Sequence, residues 1–150
     1  MIRDLMRNYH RTAISRKKPS APALWINDNI GFDPKNTLDY GCGRGDDLSY
    51  FRIDGYDPNG FYSDVFVGGE YDTILCTYVL NVIPSDEERR QVINQVKSLL
   101  SEDGAAYFSV RADKKNLNGW TGSGTYQTYV ELDYPVVVKT SNYVIYKVTK

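Results

Sequence analysis

The sequence predicts a single α/β domain with a mostly parallel sheet and an antiparallel hairpin at its C-terminal end. A glycine-rich loop at residues 41–45 follows a strand pattern and precedes a helix pattern, which is typical of parallel α/β units. A near-continuous apolar run at 71–80 indicates a strand that is buried on both faces of such a sheet. Two strand-like segments, 134–139 and 143–148, flank a turn at 140–142 and predict the hairpin.

The length and the charge distribution agree with one domain that carries a basic extension. The chain has 150 residues, of which 41% are apolar and 25% are charged. Residues 1–20 contain six Lys or Arg and one Asp, for a net charge of +5, whereas residues 21–150 contain 12 basic and 18 acidic residues, for −6. We therefore predict a basic N-terminal arm over 1–20 and one domain over 21–150. The nearly neutral total excludes a uniformly basic nucleic-acid coat.

Several other classes of protein are excluded by what the sequence lacks. No apolar run approaches the roughly 18 residues that a membrane span needs, and the first twenty residues are too charged for a secretory signal. We expect a cytoplasmic protein that contacts no membrane. Cys42, Cys76 and His10 are too few for a disulfide framework or a zinc site, so no metal is expected.

The elements of the N-terminal half are short. The pattern over 21–29 predicts a helix, and 36–40 predicts a strand that runs into the glycine loop. Residues 46–51 leave room for barely two helical turns before a second strand over 52–57. The apolar side of the first helix is expected to consist of Ala23, Leu24 and Trp25.

The elements of the C-terminal half are longer, and the apolar strand is expected to lie at the centre of the sheet. Ser85 is a predicted N-cap, and Glu88 completes a capping box at the start of a helix that ends at 101–104. A strand follows over 105–110, and residues 114–124 are predicted to form a long polar loop.

The glycine loop is the segment that indicates a ligand. It lies between a strand and a helix N-terminus, where glycines let the backbone approach a ligand closely. Its glycines are two residues apart, which is not the spacing of a dinucleotide-binding loop, and it lacks a Walker lysine. Asp57 ends the next strand, where a carboxylate can accept hydrogen bonds from both hydroxyls of a ribose. The sequence therefore predicts a cofactor that contains a nucleoside. The loop reads Asp39-Tyr40-Gly41-Cys42-Gly43-Arg44-Gly45.

This loop resembles motif I of class I S-adenosylmethionine-dependent methyltransferases. The resemblance implies a Rossmann-like class I fold and an enzyme that uses S-adenosyl-L-methionine as methyl donor. It further implies that the loop wraps the methionine part, that Asp57 holds the ribose, and that residues 78–84 lie beside the reacting methyl group. The residues that the resemblance implies for cofactor binding are Asp39, Gly41, Cys42, Gly43, Gly45, Asp57, Pro58, Asp64 and Tyr78.

The chain departs from the full class I pattern after the second strand. Only 14 residues separate Asp57 from Asp72, where a full fold would place two helices and a strand. We therefore expect a trimmed sheet in which the third strand and its helices are shortened or absent. Ser63 or Asp64 is the candidate for the polar contact with adenine.

A narrower resemblance rests on five blocks that occur in order along the chain. These are His-Arg-Thr-Ala-Ile-Ser-Arg at 10–16, Pro19 with Ala23-Leu24, the glycine loop to Asp47, Tyr-Val-Leu-Asn-Val-Ile at 78–83, and Gly-Thr-Tyr-Gln-Thr-Tyr at 124–129. Together they resemble a methyltransferase family associated with DNA phosphorothioation, whose members are longer. This resemblance implies a role in DNA modification.

Three residues are candidate catalytic groups, each with a simpler alternative. Asn81 could accept a hydrogen bond from an amine and Tyr78 could stack on a base, with a turn-capping Asn and a core Tyr as the simpler alternatives. His10 could act as a general base, contact a polyanion, or belong to a solvated arm. Cys76 is expected to be an ordinary buried cysteine.

The candidate substrate contacts are basic or aromatic. Arg11 and Arg16 could contact phosphates, and Trp120 and Tyr126 could stack on a base, with a plain surface loop as the alternative. We expect methylation of a nucleic acid, with DNA favoured. Methylation of a small molecule or protein, or a non-catalytic module that binds S-adenosylmethionine, remain the alternatives. The chain is expected to be a monomer or a weak dimer.

Overall fold

The computed structural model describes residues 18–43, 46–57, 70–116, 118–120 and 125–150. Its helices and strands are α1 (Ala21–Asn29), β1 (Thr37–Tyr40), α2 (Asp46–Phe51), β2 (Asp54–Tyr56), β3 (Tyr71–Thr77), α3 (Asp86–Ser98), β4 (Leu100–Arg111), β5 (Asn118–Trp120), β6 (Tyr126–Thr128), β7 (Val136–Lys139) and β8 (Tyr143–Thr149). Two short 3₁₀ turns lie at Pro34–Asn36 and Leu80–Val82.

The main sheet has the predicted mixed architecture. Its six strands are ordered β2-β1-β3-β4-β8-β7, the pairs from β2 to β4 are parallel, and β8 runs antiparallel to both of its neighbours. The α/β class, the antiparallel C-terminal hairpin and the central place of the apolar strand β3 are therefore confirmed. Among the described strands β2 forms one edge of this sheet. The predicted trimming of the third strand concerns residues 58–69, which lie outside the described part of the chain.

The two faces of the sheet are covered by different helices. The apolar stripe of α3 packs on one face, through Val92, Ile93 and Val96. Helices α1 and α2 cover the other face, where Ile26 and Phe51 join one buried cluster with side chains of β3, β4 and β8. Burial of apolar surface on both faces explains why β3 reads as a continuous apolar run.

The start of α3 is confirmed, whereas its predicted end is wrong. The Ser85 hydroxyl accepts the Glu88 N–H at 3.3 Å, as expected of an N-cap. The helix ends at Ser98, and Leu99 closes it by donating its N–H to Val96 at 3.0 Å while its side chain enters the core. Residues 101–104 instead form an irregularity within β4, between the pairs Tyr71–Leu100 and Thr73–Ala105.

Gly104 is therefore required by the sheet and not by the end of a helix. A Cβ at this position would stand 2.8 Å from the Tyr71 carbonyl oxygen of the neighbouring strand. Such a distance is too short for any side chain, so only glycine lets β3 and β4 approach here.

Other details of the elements differ from the sequence predictions. Strand β3 stops at Thr77 and not at residue 80, because Tyr78 takes a left-handed φ of 59° and the 3₁₀ turn follows. Strand β2 starts at Asp54, since Arg52 also has a left-handed φ, of 58°. The predicted loop 114–124 contains β5, which pairs with β6 as a separate two-stranded sheet. The buried side of α1 consists of Pro22, Ala23 and Ile26, while Leu24 and Trp25 are only partly buried.

Candidate functional site

The carboxyl ends of β1, β2 and β3 meet at one edge of the sheet, because these strands are parallel. The glycine loop leaves β1 there, Asp57 follows β2, and the Leu80–Val82 turn follows β3. In open α/β sheets this edge is where ligands bind. The fold thus brings three separate parts of the sequence to one candidate site.

The described part of the glycine loop is tied to the end of β2 by backbone hydrogen bonds. The N–H groups of Gly41 and Cys42 donate to the Tyr56 carbonyl at 2.7 and 3.2 Å. The Gly43 N–H donates to Asp57 Oδ2 at 2.7 Å. Gly41 and Gly43 have φ of 78° and 57°, a left-handed conformation that L side chains rarely adopt. The backbone conformation of the loop therefore explains why the sequence has glycine at positions 41 and 43.

Two buried carboxylates flank this loop. Asp39 is 3% exposed at the end of β1, and Asp57 is 5% exposed after β2. Asp57 accepts the Gly43 N–H through Oδ2. A buried carboxylate beside a glycine loop is the type of acceptor that the ribose hydroxyls of S-adenosylmethionine require. The residues present therefore fit this cofactor.

Both thiols of the chain lie near these carboxylates and are neutral. Burial raises the pKa of Cys42, and the carboxylates of Asp39 and Asp57 raise it further. Burial, followed by the Asp39 carboxylate, raises the pKa of Cys76 well above its usual value. Cys76 is 1% exposed, which confirms an ordinary buried cysteine. A neutral thiol is a poor nucleophile, so neither residue suits covalent catalysis.

One contact beside the loop is not signalled by any sequence motif. Asp47, in the first turn of α2, accepts both the N–H of Ser20 at 2.6 Å and the Ser20 hydroxyl at 2.7 Å. The same hydroxyl accepts the Ala23 N–H at 3.4 Å and so caps α1. This chain of hydrogen bonds fixes the start of α1 against the helix that follows the glycine loop.

The end of β3 carries two of the predicted catalytic residues. Tyr78 donates its N–H to the Ser109 carbonyl at 2.8 Å and packs against the buried cluster beneath α1 and α2. Asn81 is 1% exposed, and its Nδ2 donates to Gln127 Oε1 at 3.1 Å. Within the described part of the chain, the buried Asn81 Oδ1 has no hydrogen-bond partner. Asn81 therefore presents an unused acceptor at this edge.

The β5–β6 hairpin carries the predicted aromatic contacts on its other side. Trp120 is 71% exposed and meets Tyr126 edge to face, with ring centroids 5.6 Å apart. Trp120 and Tyr126 are cross-strand partners, as are Gly119 and Gln127. Since side chains alternate along a strand, the aromatic pair points away from the side that Gln127 turns to Asn81. The structure thus brings together Asn81 and Gln127 and separates them from the aromatic pair.

The remaining predicted site residues are not placed by the structure. His10, Arg11, Arg16, Gly45, Pro58 and Asp64 lie outside the described residues.

A groove of about 510 Å³ is formed by other residues than those of the candidate site. It runs between α3 and residues 129–134, and it is lined by charged side chains that include Arg89, Arg90 and Glu131. None of its lining residues belongs to the glycine loop, to the end of β2 or to the Leu80–Val82 turn. We therefore place the candidate site by its chemistry and not by the size of this groove.

The described ranges contain no group of three or more His, Cys, Asp or Glu that could hold a metal ion. No helix that they include is long and apolar enough to cross a membrane.

Comparisons with known proteins agree with this geometry. A family model described as a methyltransferase domain matches residues 2–127. Among solved structures, the complex of DhpI with S-adenosylhomocysteine has a TM-score of 0.57 at 12% identity, over 85% of this chain and 82% of that one. The Burkholderia thailandensis 1,6-didemethyltoxoflavin-N1-methyltransferase, with its substrate and S-adenosylhomocysteine bound, has a TM-score of 0.56 at 17% identity, over 85% of this chain and 76% of that one. No curated protein matches the chain. At these identities the two structures show a shared fold.

Proposed function

The chain belongs to the methyltransferase-domain family and is an S-adenosylmethionine-dependent methyltransferase of Rossmann-like fold, and from that premise we propose that it methylates a nucleic acid, with DNA favoured. The observation that carries this proposal is the Trp120–Tyr126 pair on the β5–β6 hairpin, in which Trp120 is 71% exposed. Because the pair points away from Asn81, it would stack on a base that neighbours the one to be methylated. Aromatic side chains of this kind stack on unpaired bases at about 1–3 kcal/mol each.

The charge distribution supports the same class of substrate. Lys114 and Lys115 are exposed between β4 and β5, close in sequence to the aromatic pair. The N-terminal segment 1–20 carries a net charge of +5, and Arg11 and Arg16 are its proposed phosphate contacts. His10 belongs to the same segment, and its role as base or phosphate contact stays a prediction.

The chain's own residues suffice for the positioning that methyl transfer needs. When bound, S-adenosylmethionine supplies an activated methyl group. The glycine loop and Asp57 would hold it at the carboxyl ends of β1 and β2. Asn81, at the end of β3, would accept a hydrogen bond from the group to be methylated. Holding two reactants in line and excluding water is the main demand of this chemistry.

The resemblance to the family associated with DNA phosphorothioation makes a sharper form of this proposal. Its support is the sequence blocks at 78–83 and 124–129, which supply Asn81 and Gln127, now found in contact. In this form the acceptor is DNA, and a phosphorothioate backbone is the variant to compare with ordinary DNA.

Methylation of a small heterocycle is the second candidate. The Burkholderia thailandensis enzyme of similar fold binds 1,6-didemethyltoxoflavin, a small molecule. An aromatic pair such as Trp120 and Tyr126 would suit that kind of ligand as well.

Transfer of labelled methyl groups distinguishes these candidates. The purified chain is incubated with labelled S-adenosylmethionine and with single-stranded DNA, duplex DNA, phosphorothioate DNA, RNA or a small heterocycle such as 1,6-didemethyltoxoflavin. We expect label in DNA, and we expect Trp120→Leu to reduce it about tenfold, since one stacking contact is worth about 1–3 kcal/mol. Label only in a small heterocycle would overturn the nucleic-acid proposal.

The salt dependence of binding provides the second arm of this test. We expect DNA affinity to fall steeply with salt, and Arg11→Ala or Arg16→Ala to lower the slope by about one. Arg90→Ala is the matched control, because Arg90 is an exposed arginine on α3 and not in the N-terminal segment. Binding that does not depend on salt would contradict phosphate contact.

A further inference from the structure

The amide pair of Asn81 and Gln127 joins two parts of the site that are 46 residues apart in sequence. Asn81 lies in the 3₁₀ turn after β3 and is buried, whereas Gln127 is half-buried in the middle of β6. Gln127 points to the side of the hairpin that faces this turn, opposite the Trp120–Tyr126 pair. The hairpin therefore reaches the end of β3 through one side chain.

The direction of this hydrogen bond fixes the orientation of the Asn81 amide. Asn81 Nδ2 donates and Gln127 Oε1 accepts, at 3.1 Å. The Asn81 oxygen is consequently turned away from Gln127. In the described structure this Oδ1 is buried and accepts no hydrogen bond. A buried acceptor without a partner is unfavourable, so a ligand that brings an N–H to it gains affinity.

We infer that Gln127 is a positioning residue, which holds the Asn81 amide so that its Oδ1 accepts a hydrogen bond from an N–H of the substrate. The preferred site of methylation is then an amino group on a planar ring. This inference rests on the proposed function in one respect, namely that the acceptor enters at the end of β3. A site built to bind an N–H rejects the analogue that lacks it, because its own acceptor then stays unpaired.

Two substitutions of Gln127 distinguish a role in orienting the Asn81 amide from a role in packing alone. The carboxylate introduced by Gln127→Glu can only accept hydrogen bonds, so this variant keeps Asn81 Nδ2 turned to the hairpin. Gln127→Met has nearly the same shape but offers no comparable acceptor. Tyr129→Phe is the control, since it removes a surface hydrogen bond to Glu131 from the same segment. Thermal unfolding of each variant checks that it folds.

The experiment is a titration followed by NMR on the ¹⁵N-labelled chain, loaded with S-adenosylhomocysteine so that the cofactor's own adenine site is filled. The probes are adenine, which has an amino group, and purine, which lacks it. We expect adenine to bind about tenfold more tightly than purine to the wild type, to Gln127→Glu and to Tyr129→Phe. We expect this preference to fall below about twofold in Gln127→Met.

Hydrogen exchange of the Asn81 side-chain amide provides a readout that needs no ligand. The Nδ2 proton bonded to Gln127 should exchange slowly in the wild type and in Gln127→Glu, and at least tenfold faster in Gln127→Met. Unchanged exchange in Gln127→Met would overturn the positioning role. Equal affinity for adenine and purine, or no binding of adenine, would overturn the recognition of an N–H.

The outcomes also separate this inference from the proposed function. A preference for adenine without methyl transfer to any nucleic acid would overturn the nucleic-acid proposal alone. Methylation of DNA at the same rate by Gln127→Met and by the wild type would overturn the role of Gln127 alone.

Discussion

The Asp57 carboxylate connects the glycine loop to the end of β2. It is buried, and it accepts the Gly43 N–H at 2.7 Å and so holds the loop against β2. Asp54, three residues earlier, is bonded instead to the Tyr71 hydroxyl at 2.9 Å, at the opposite end of β2. The two aspartates, one at the start of β2 and one directly after it, therefore have different tasks, and they form a matched pair for mutation.

We predict that Asp57→Ala lowers the affinity for S-adenosylhomocysteine by about tenfold to a hundredfold, since hydrogen bonds to a charged group contribute about 1.5–3 kcal/mol each. Asp54→Ala should leave that affinity unchanged, because its partner Tyr71 lies at the other end of the strand. Calorimetric titration measures both. Binding to Asp57→Ala within twofold of the wild type would contradict the assigned role.

Residues of the loop could be predicted from sequence, whereas their partners could not. Asp39, the glycines and Asp57 stand at fixed places around a local strand, loop and helix pattern, so the resemblance to a known motif points to them. The contacts Ser20–Asp47 and Asn81–Gln127 join residues 27 and 46 positions apart. Polar side chains that meet across elements leave no periodic signal in the sequence. Their pairing depends on how the elements pack.

For whole elements too, local features could be predicted from the sequence and contacts with distant residues could not. The start of α3 was predictable, because a cap and an apolar stripe are local features. Its end was not, since the Leu99 carbonyl accepts the Tyr71 N–H of the neighbouring strand β3, and Gly104 is required by the close approach of β3 and β4. Likewise the pairing of β5 with β6 depends on strands of three residues each, which are too short for an alternation pattern.

The two serine N-caps provide a prediction about helix stability. Ser85→Ala should lower the free energy of unfolding by about 1 kcal/mol, the usual cost of losing a cap. Ser20→Ala should cost about 2 kcal/mol, since Ser20 also donates to the buried carboxylate of Asp47, and an acceptor left unpaired costs about 1–3 kcal/mol. Urea denaturation of both variants measures the difference. Equal losses would show that the Ser20–Asp47 hydrogen bond adds nothing to the cap.

At the scale of the whole molecule, the candidate site depends on the sheet and not on one segment. The loop after β1, the carboxylate after β2 and the turn after β3 lie together only when the parallel strands are paired. The unfolded chain offers no such arrangement. A cofactor that binds across these three ends must therefore bind the folded state alone, and its binding free energy adds to the stability of the domain.

We accordingly predict that S-adenosylhomocysteine at 100 times its dissociation constant raises the melting temperature by roughly 10 °C. At that concentration it stabilises the folded state by about 2.7 kcal/mol, and the melting temperature of a domain of this size rises by about 3–4 °C per kcal/mol. Ser85→Ala should melt at a lower temperature and show the same rise, since Ser85 caps α3 and belongs to none of the three strand ends. Gly43→Asp should show little rise, because φ at this position is 57° and an aspartate would stand next to the carboxylate of Asp57. A scan of each variant with and without ligand measures these shifts. A full rise in Gly43→Asp would mean that the ligand binds away from the glycine loop.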